Sequence, residues 1–199
     1  MFVMTVDQRR SRRDIDRVPD LLDRYRDFDL IRPFERTAGD EVQAVCEDAA
    51  TVVAIALDLV ATPHWSVGIG VGSVELPLPD TTRAGRGQAF EAARDAVTRA
   101  KNAPASLAVT GPEPEAAEDA ETASTLVAIL VARRSDQGRE AVALMAEGMS
   151  QTDAAERLDI SKQAMSQRLS VAGWHVENAG RTLAARLLNA ADATGSHTS

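Results

Sequence analysis

Apolar positions along the chain follow two kinds of spacing, and the change between them comes near residue 110. Before it, short β-prone runs alternate with stretches in which apolar side chains recur every third or fourth place. Residues 2–6, Phe-Val-Met-Thr-Val, form the first run, with Asp7 at its end. Ile15, Val18, Leu21, Leu22 and Tyr25 follow at helical spacing, and Pro19 inside that pattern predicts a helix that begins near it. Two short strands, 31–36 and 42–46, flank a Gly-Asp turn in Thr37-Ala38-Gly39-Asp40-Glu41. Residues 47–61 predict a strongly amphipathic helix. Residues 65–74 predict a strand whose Gly68, Gly70 and Gly72 leave room for another backbone or a ligand. A helix over 87–101 and a strand over 106–109 complete the series.

The order is therefore β-α-β-β-α-β-α-β. Helices packed on one face of a mainly antiparallel sheet would make a ferredoxin-like α+β sandwich. Residues 110–121, TGPEPEAAEDAE, set two prolines among five acids and read as a solvated linker or a helix start. Beyond them the pattern is helical throughout. Leu126, Val127, Ile129, Leu130 and Val131 make one helix apolar nearly all round, which suits packing between domains or against a second chain. The expected division is an α+β domain at 1–111, an acidic linker and connecting helix at 112–134, an all-α domain at 135–190 and a flexible tail at 191–199.

Composition narrows the function classes. With 199 residues, 22 Lys and Arg against 30 Asp and Glu, the net charge is −8. That argues against a chain coated in nucleic acid, but leaves room for a small DNA-reading patch. No apolar run approaches the ~18–20 residues of a membrane span. The single cysteine, Cys46, forms no internal disulfide, and the charges near the start follow the apolar stretch, the reverse of a secretory signal. A cytoplasmic location is expected.

Residues 139–169 read REAVALMAEGMSQTDAAERLDISKQAMSQRL. Gly148 stops one helix, Ser150 with Asp153 starts a short second one, Asp159-Ile160 makes a turn, and Ser161 caps a third. Ala155, Leu158, Ile160, Met165 and Leu169 fall at inward positions. Ala155 is small where two helices would cross at short range. The stretch from Asp153 to Ser166 resembles the helix-turn-helix of sigma-factor region 4 and LuxR-type regulators, of the form E-I-A-x-x-L-x-I-S-x-x-x-V-S; Asp159 stands where glycine is frequent. The resemblance implies that the third helix enters the major groove of double-stranded DNA. Its outward residues would be Ser161, Lys162, Gln163, Ser166, Gln167 and Arg168. Gln suits adenine edges, and Lys and Arg suit guanine or phosphate. A single such unit with few basic residues implies a homodimer, with the 126–131 and 174–188 helices as seams. The competing reading is a trihelical module used only for packing.

In the first 110 residues, an acid ends a strand (Asp7), a hairpin carries Gly39-Asp40-Glu41, and a later helix holds Arg94 and Lys101. These features resemble nucleotide cyclases and GGDEF-type diguanylate cyclases. There, acids at a first strand's end and at a hairpin tip hold divalent metal on a nucleoside triphosphate. More closely, Gly39-Asp40-Glu41-Val42-Gln43 with Gly87-Gln88-Ala89-Phe90-Glu91-Ala92-Ala93-Arg94 resembles the SatD-like family of small bacterial proteins, which carry a G-D-x-x-Q hairpin and a G-x-A-F-x-x-A-R helix. The cyclase resemblance implies Asp7 and Asp40 as metal ligands and Arg94 and Lys101 as nucleotide ligands, with magnesium and a purine nucleotide as the cofactor, while the SatD-like one implies a fold more than a function. Departures weaken the catalytic part. Phe90 stands where class III cyclases place an Asn, Ala38 replaces a second glycine, and residues 8–13 are far more basic than a phosphate-cradling turn. The expectation is a DNA-binding transcriptional regulator with a non-catalytic cyclase-like domain for sensing or assembly. The alternative is a nucleotidyl cyclase or transferase using Asp7 and Asp40.

Overall fold

In the computed structural model, which describes residues 1–194, the order expected before residue 110 is present element by element. Strand β1 spans Phe2–Gln8, helix α1 Val18–Arg24, β2 Arg32–Ala38, β3 Glu41–Cys46, α2 Ala49–Val60, β4 Trp65–Val71, α3 Gln88–Ala100 and β5 Leu107–Thr110. Local chemistry sets the boundaries. Pro19 sits in the first turn of α1, where its missing N–H costs nothing. Asp48 accepts the N–H groups of Ala50 and Thr51 and so caps α2. Gly39, at φ +58°, turns the β2–β3 hairpin.

The strands form one sheet in the order β2-β3-β1-β4-β5. Neighbours are antiparallel except β4 and β5, so the sheet is mixed and the class is α+β. One expectation is corrected here: the helices cover both faces. Phe2, Met4 and Val6 join the large core with α1 and α2, while Val3 packs on Ala89, Phe90 and Ala93 of α3. The parallel β4–α3–β5 crossover carries α3 across the opposite face. Gly68 and Gly70 admit it at backbone contact. A Cβ at Gly70 would stand 2.1 Å from the Ala89 carbonyl oxygen, and one at Gly68 2.2 Å from the Val97 nitrogen.

After β5 the described residues are helical: α4 Pro114–Ala132, α5 Asp136–Ala146, α6 Gln151–Arg157, α7 Lys162–Val171 and α8 Trp174–Thr194. The acidic stretch at 110–121 is a helix start rather than a linker, with Ala117 and Ala120 buried. Glu121 accepts from the Val109 N–H at 2.7 Å and pairs with Arg99 at 2.9 Å, which ties α4 to β5 and α3. Helix α8 turns back along α4 and α2, and its Ala184, Leu188 and Ala191 enter the same core as the sheet. The two helices expected as intermolecular seams thus pack on each other within one chain. Gly180 leaves room for Val127, and Gly173 for Leu130. Of the tail expected at 191–199, residues 191–194 continue α8 and 195–199 lie outside the described residues.

Between α4 and α8, helices α5, α6 and α7 close around a small core of Ala141, Ala154, Ala155, Met165 and Leu169. At their root, Arg134 pairs with Glu177 at 2.5 Å, each side chain only 6% exposed, and Arg134 Nε donates to the Ala172 carbonyl at 2.8 Å. Burial pushes the Glu177 carboxyl up, but the bonds from Arg134 and Arg181 overcome this and hold it below the ordinary glutamate range. Helix α8 ends beside the start of β1, where the Met1 amino group meets Asp192 at 2.6 Å. Its beginning, and with it the α5–α7 unit, therefore lies toward the other end of the sheet, where β1 finishes and β4 begins. Among the described residues, no helix is long and apolar enough to cross a membrane.

Candidate functional site

Helices α6 and α7 have the local chemistry of two short helices held at a sharp turn. Gly148, at φ +87°, ends the preceding helix, and the Ser150 hydroxyl accepts the Asp153 N–H at 3.2 Å to start α6. Asp159, at φ +52°, takes the left-handed conformation at the turn, which its short polar side chain tolerates. The Ile160 N–H donates back to the Ala155 carbonyl at 3.0 Å. The Ser161 hydroxyl then accepts the Ala164 N–H at 3.1 Å and starts α7. Ala155 is buried, as its position requires, with Met165 and Leu169 beneath α7. Ser161, Lys162, Gln163, Ser166 and Gln167 are exposed and Arg168 is half-buried. No ion pair holds Lys162 or Arg168 among the described residues. Between Ile160 and Val176 the chain has these two positive charges and no acid.

The end of the sheet that faces this unit gathers the acids singled out in the first strand and the hairpin. Asp7 lies opposite Glu41 on one side and Ser66 on the other. The Gln8 N–H donates to the Asp40 carbonyl at 3.2 Å, so Asp7 and Asp40 stand on adjacent strand ends. Lys101, just past α3, reaches over and pairs with Asp7 at 2.9 Å. Arg9 donates to the Ser106 hydroxyl. Arg36 pairs with Asp16 at 2.6 Å, which holds the Asp16 carboxyl below its ordinary range, and donates to the Gly39 carbonyl at 3.0 Å. The hydroxyl of Ser66 is fully buried beside Asp7 and has no hydrogen-bond partner among the described residues. Ser66 was not read as a site residue in the sequence, although its place opposite Asp7 follows from the antiparallel register.

A divalent ion at Asp7 would compete with the Lys101 ammonium, which pairs with that carboxylate at 2.9 Å. Arg94 is placed apart from Lys101: Lys101, at the C-cap of α3, pairs with Asp7, while Arg94 lines a separate cavity toward the other end of the helix.

Three of the residues that carry the SatD-like resemblance, Gln43, Gly87 and Phe90, take part in packing or capping. Gln43 is buried and donates to the Thr5 hydroxyl at 2.9 Å. Gly87 caps α3 at φ +119°, and Phe90 lies buried against Gly85. Compared with family models, with curated proteins and with solved structures, the chain matches none.

Proposed function

We propose that this chain is a DNA-binding transcriptional regulator of the helix-turn-helix kind, with an α+β region of cyclase-like, ferredoxin-like design that senses or assembles rather than catalyses. The observation that carries the reading is the capped α6–turn–α7 pair, with a polar outer face free of internal ion pairs. Ser161, Lys162, Gln163, Ser166, Gln167 and Arg168 are the DNA-contacting residues in this reading, with α7 in the major groove. A second copy provides the second half-site. Val176 and Leu183, seven residues apart on α8, and Leu126 on α4 remain exposed and supply apolar surface for that contact.

The test is binding of the full chain to genomic DNA fragments at several salt concentrations. A specific fragment retained as salt rises supports the reading. Weak, salt-sensitive binding to every fragment, or none, removes it.

The enzyme reading rests on the adjacency of Asp7 and Asp40. Magnesium and a purine triphosphate would have to displace Lys101 from Asp7, and Phe90 offers no donor to a transition state. A cyclic nucleotide product that disappears in Asp40→Asn would establish this reading in place of the regulator.

A further inference from the structure

Arg94, separated from Lys101, belongs to a cavity of about 720 Å³ between the 73–87 loop and the first turns of α3. Arg83 and Arg86 line the same cavity. None of the three guanidinium groups has a carboxylate partner or a hydrogen bond among the described residues. The contrast with the same helix is sharp. Arg99, five residues on, is held by Glu121, Asp95 and the Val109 carbonyl.

The loop that presents Arg83 and Arg86 is held from several sides. Arg32 donates to the Leu78 and Pro79 carbonyls at 2.9 and 2.7 Å. The Thr82 N–H donates to Glu35 at 2.7 Å and its hydroxyl to the Pro33 carbonyl at 3.1 Å. The Glu75 N–H donates to the Arg86 carbonyl at 2.9 Å, and Gly85 lies so close to the Phe90 ring that a Cβ there would meet it at 2.0 Å. A braced backbone thus sets three arginine side chains around one space, and none of them is held by an ion pair among the described residues. Open guanidinium groups gathered at one cavity suit an anion.

We propose that this cavity binds a compact phosphoryl anion, the monoester or diphosphate group of a small molecule, through Arg83, Arg86 and Arg94. A phosphoryl group offers three or more acceptor oxygens, which matches several planar guanidinium forks better than one carboxylate does. Glu75 and Glu91 also line the cavity and leave it a net charge of only +1. That disfavours an extended polyanion such as a nucleic-acid backbone. Val74 and Phe90 give the rest of the small molecule an apolar wall. The site lies toward the end of the sheet away from α7, so it stands or falls independently of DNA binding.

The test is titration calorimetry of the full chain with pyrophosphate, inorganic phosphate and citrate. Pyrophosphate should bind saturably, and each of Arg83→Gln, Arg86→Gln and Arg94→Gln should weaken it about ten-fold. Lys101→Gln should leave binding unchanged. Arg94→Gln, an exposed change on a regular helix, keeps the fold and so keeps the test decisive if a loop variant does not. Three results would overturn the proposal: no saturable binding below about 10 mM, binding unaffected by the arginine changes, or citrate binding as tightly as pyrophosphate.

Discussion

The sheet and the α5–α7 unit reach a folded state with very different means. The sheet is buried on both faces, with Phe2, Met4, Val67 and Ile69 on one side and Val3, Ala89, Phe90 and Ala93 on the other. In its hydrophobic core the unit gathers five buried residues, three of them alanines. It depends instead on serine caps at the starts of α5, α6 and α7 and on the Arg134–Glu177 pair at its root. Charges are distributed less unevenly. In the sheet region Arg24, Arg36, Arg99 and Lys101 are held by acids while Arg83, Arg86 and Arg94 are not, and in the unit Arg139 pairs with Asp136 while Lys162 and Arg168 on α7 have no ion pair among the described residues.

The largest effect should come from the sheet. Gly70→Val drives a side chain into the backbone of α3, where even a Cβ meets the Ala89 oxygen at 2.1 Å. It should leave no cooperatively folded protein, well beyond the ~1–3 kcal/mol of ordinary overpacking, as read by chemical denaturation.

Next comes the root of the unit. Arg134→Met strands a buried carboxylate and should cost about 3–5 kcal/mol, while Arg134→Met with Glu177→Met should recover most of it. The pH dependence has a definite sign. Because the folded Glu177 carboxyl lies below its ordinary value, its contribution is complete above about pH 4.5 and fades as the pH falls through the folded value. Urea midpoints measured from pH 7 to pH 3 should fall toward the acid end in the parent, and the part of the fall that comes from Glu177 should be absent in the double variant.

On the open face, Gln163→Ala and Gln167→Ala should leave stability within about 0.5 kcal/mol. They should also cost about 1–3 kcal/mol per lost base contact in specific DNA affinity. Equal loss of affinity and stability would mean that these side chains are structural, and the comparison would lose its point. The smallest effect is expected from Ser161→Ala, about 1 kcal/mol of stability from the lost cap, measured as a shift in thermal midpoint.

Much of this was legible along the chain because its signals are local. The caps at Ser150 and Ser161, the turn at Asp159 and the hairpin at Gly39 each depend on a few neighbouring residues, and each stands where the pattern placed it. The position of α3 was half legible. Gly68 and Gly70 announced a close approach, and a run at residues 2–6 that is apolar but for Thr5 is itself the mark of a strand covered on both faces. That Lys101 turns to Asp7 while Arg94 lines a cavity toward the other end of α3 is a matter of tertiary placement, which no local spacing states. The return of α8 onto α4 was not legible. It depends on Gly180 meeting Val127 and Gly173 meeting Leu130, 53 and 43 residues away along the chain, and no local rule foretells such a meeting. Nor does any pattern single out Arg134 and Glu177 as a buried pair.

The clamp at Arg134 and Glu177 has a topological consequence. The chain leaves the helical hairpin at the end of α4 and re-enters it at the start of α8, and the two points touch. The α5–α7 unit is therefore an excursion from a continuous scaffold, closed at its neck, and not a bead at the end of a string. It has no tether on which to swing. The bearing of α7 is inherited from the angle between α4 and α8, so any change in how those two helices lie against the sheet re-aims the face that α7 presents.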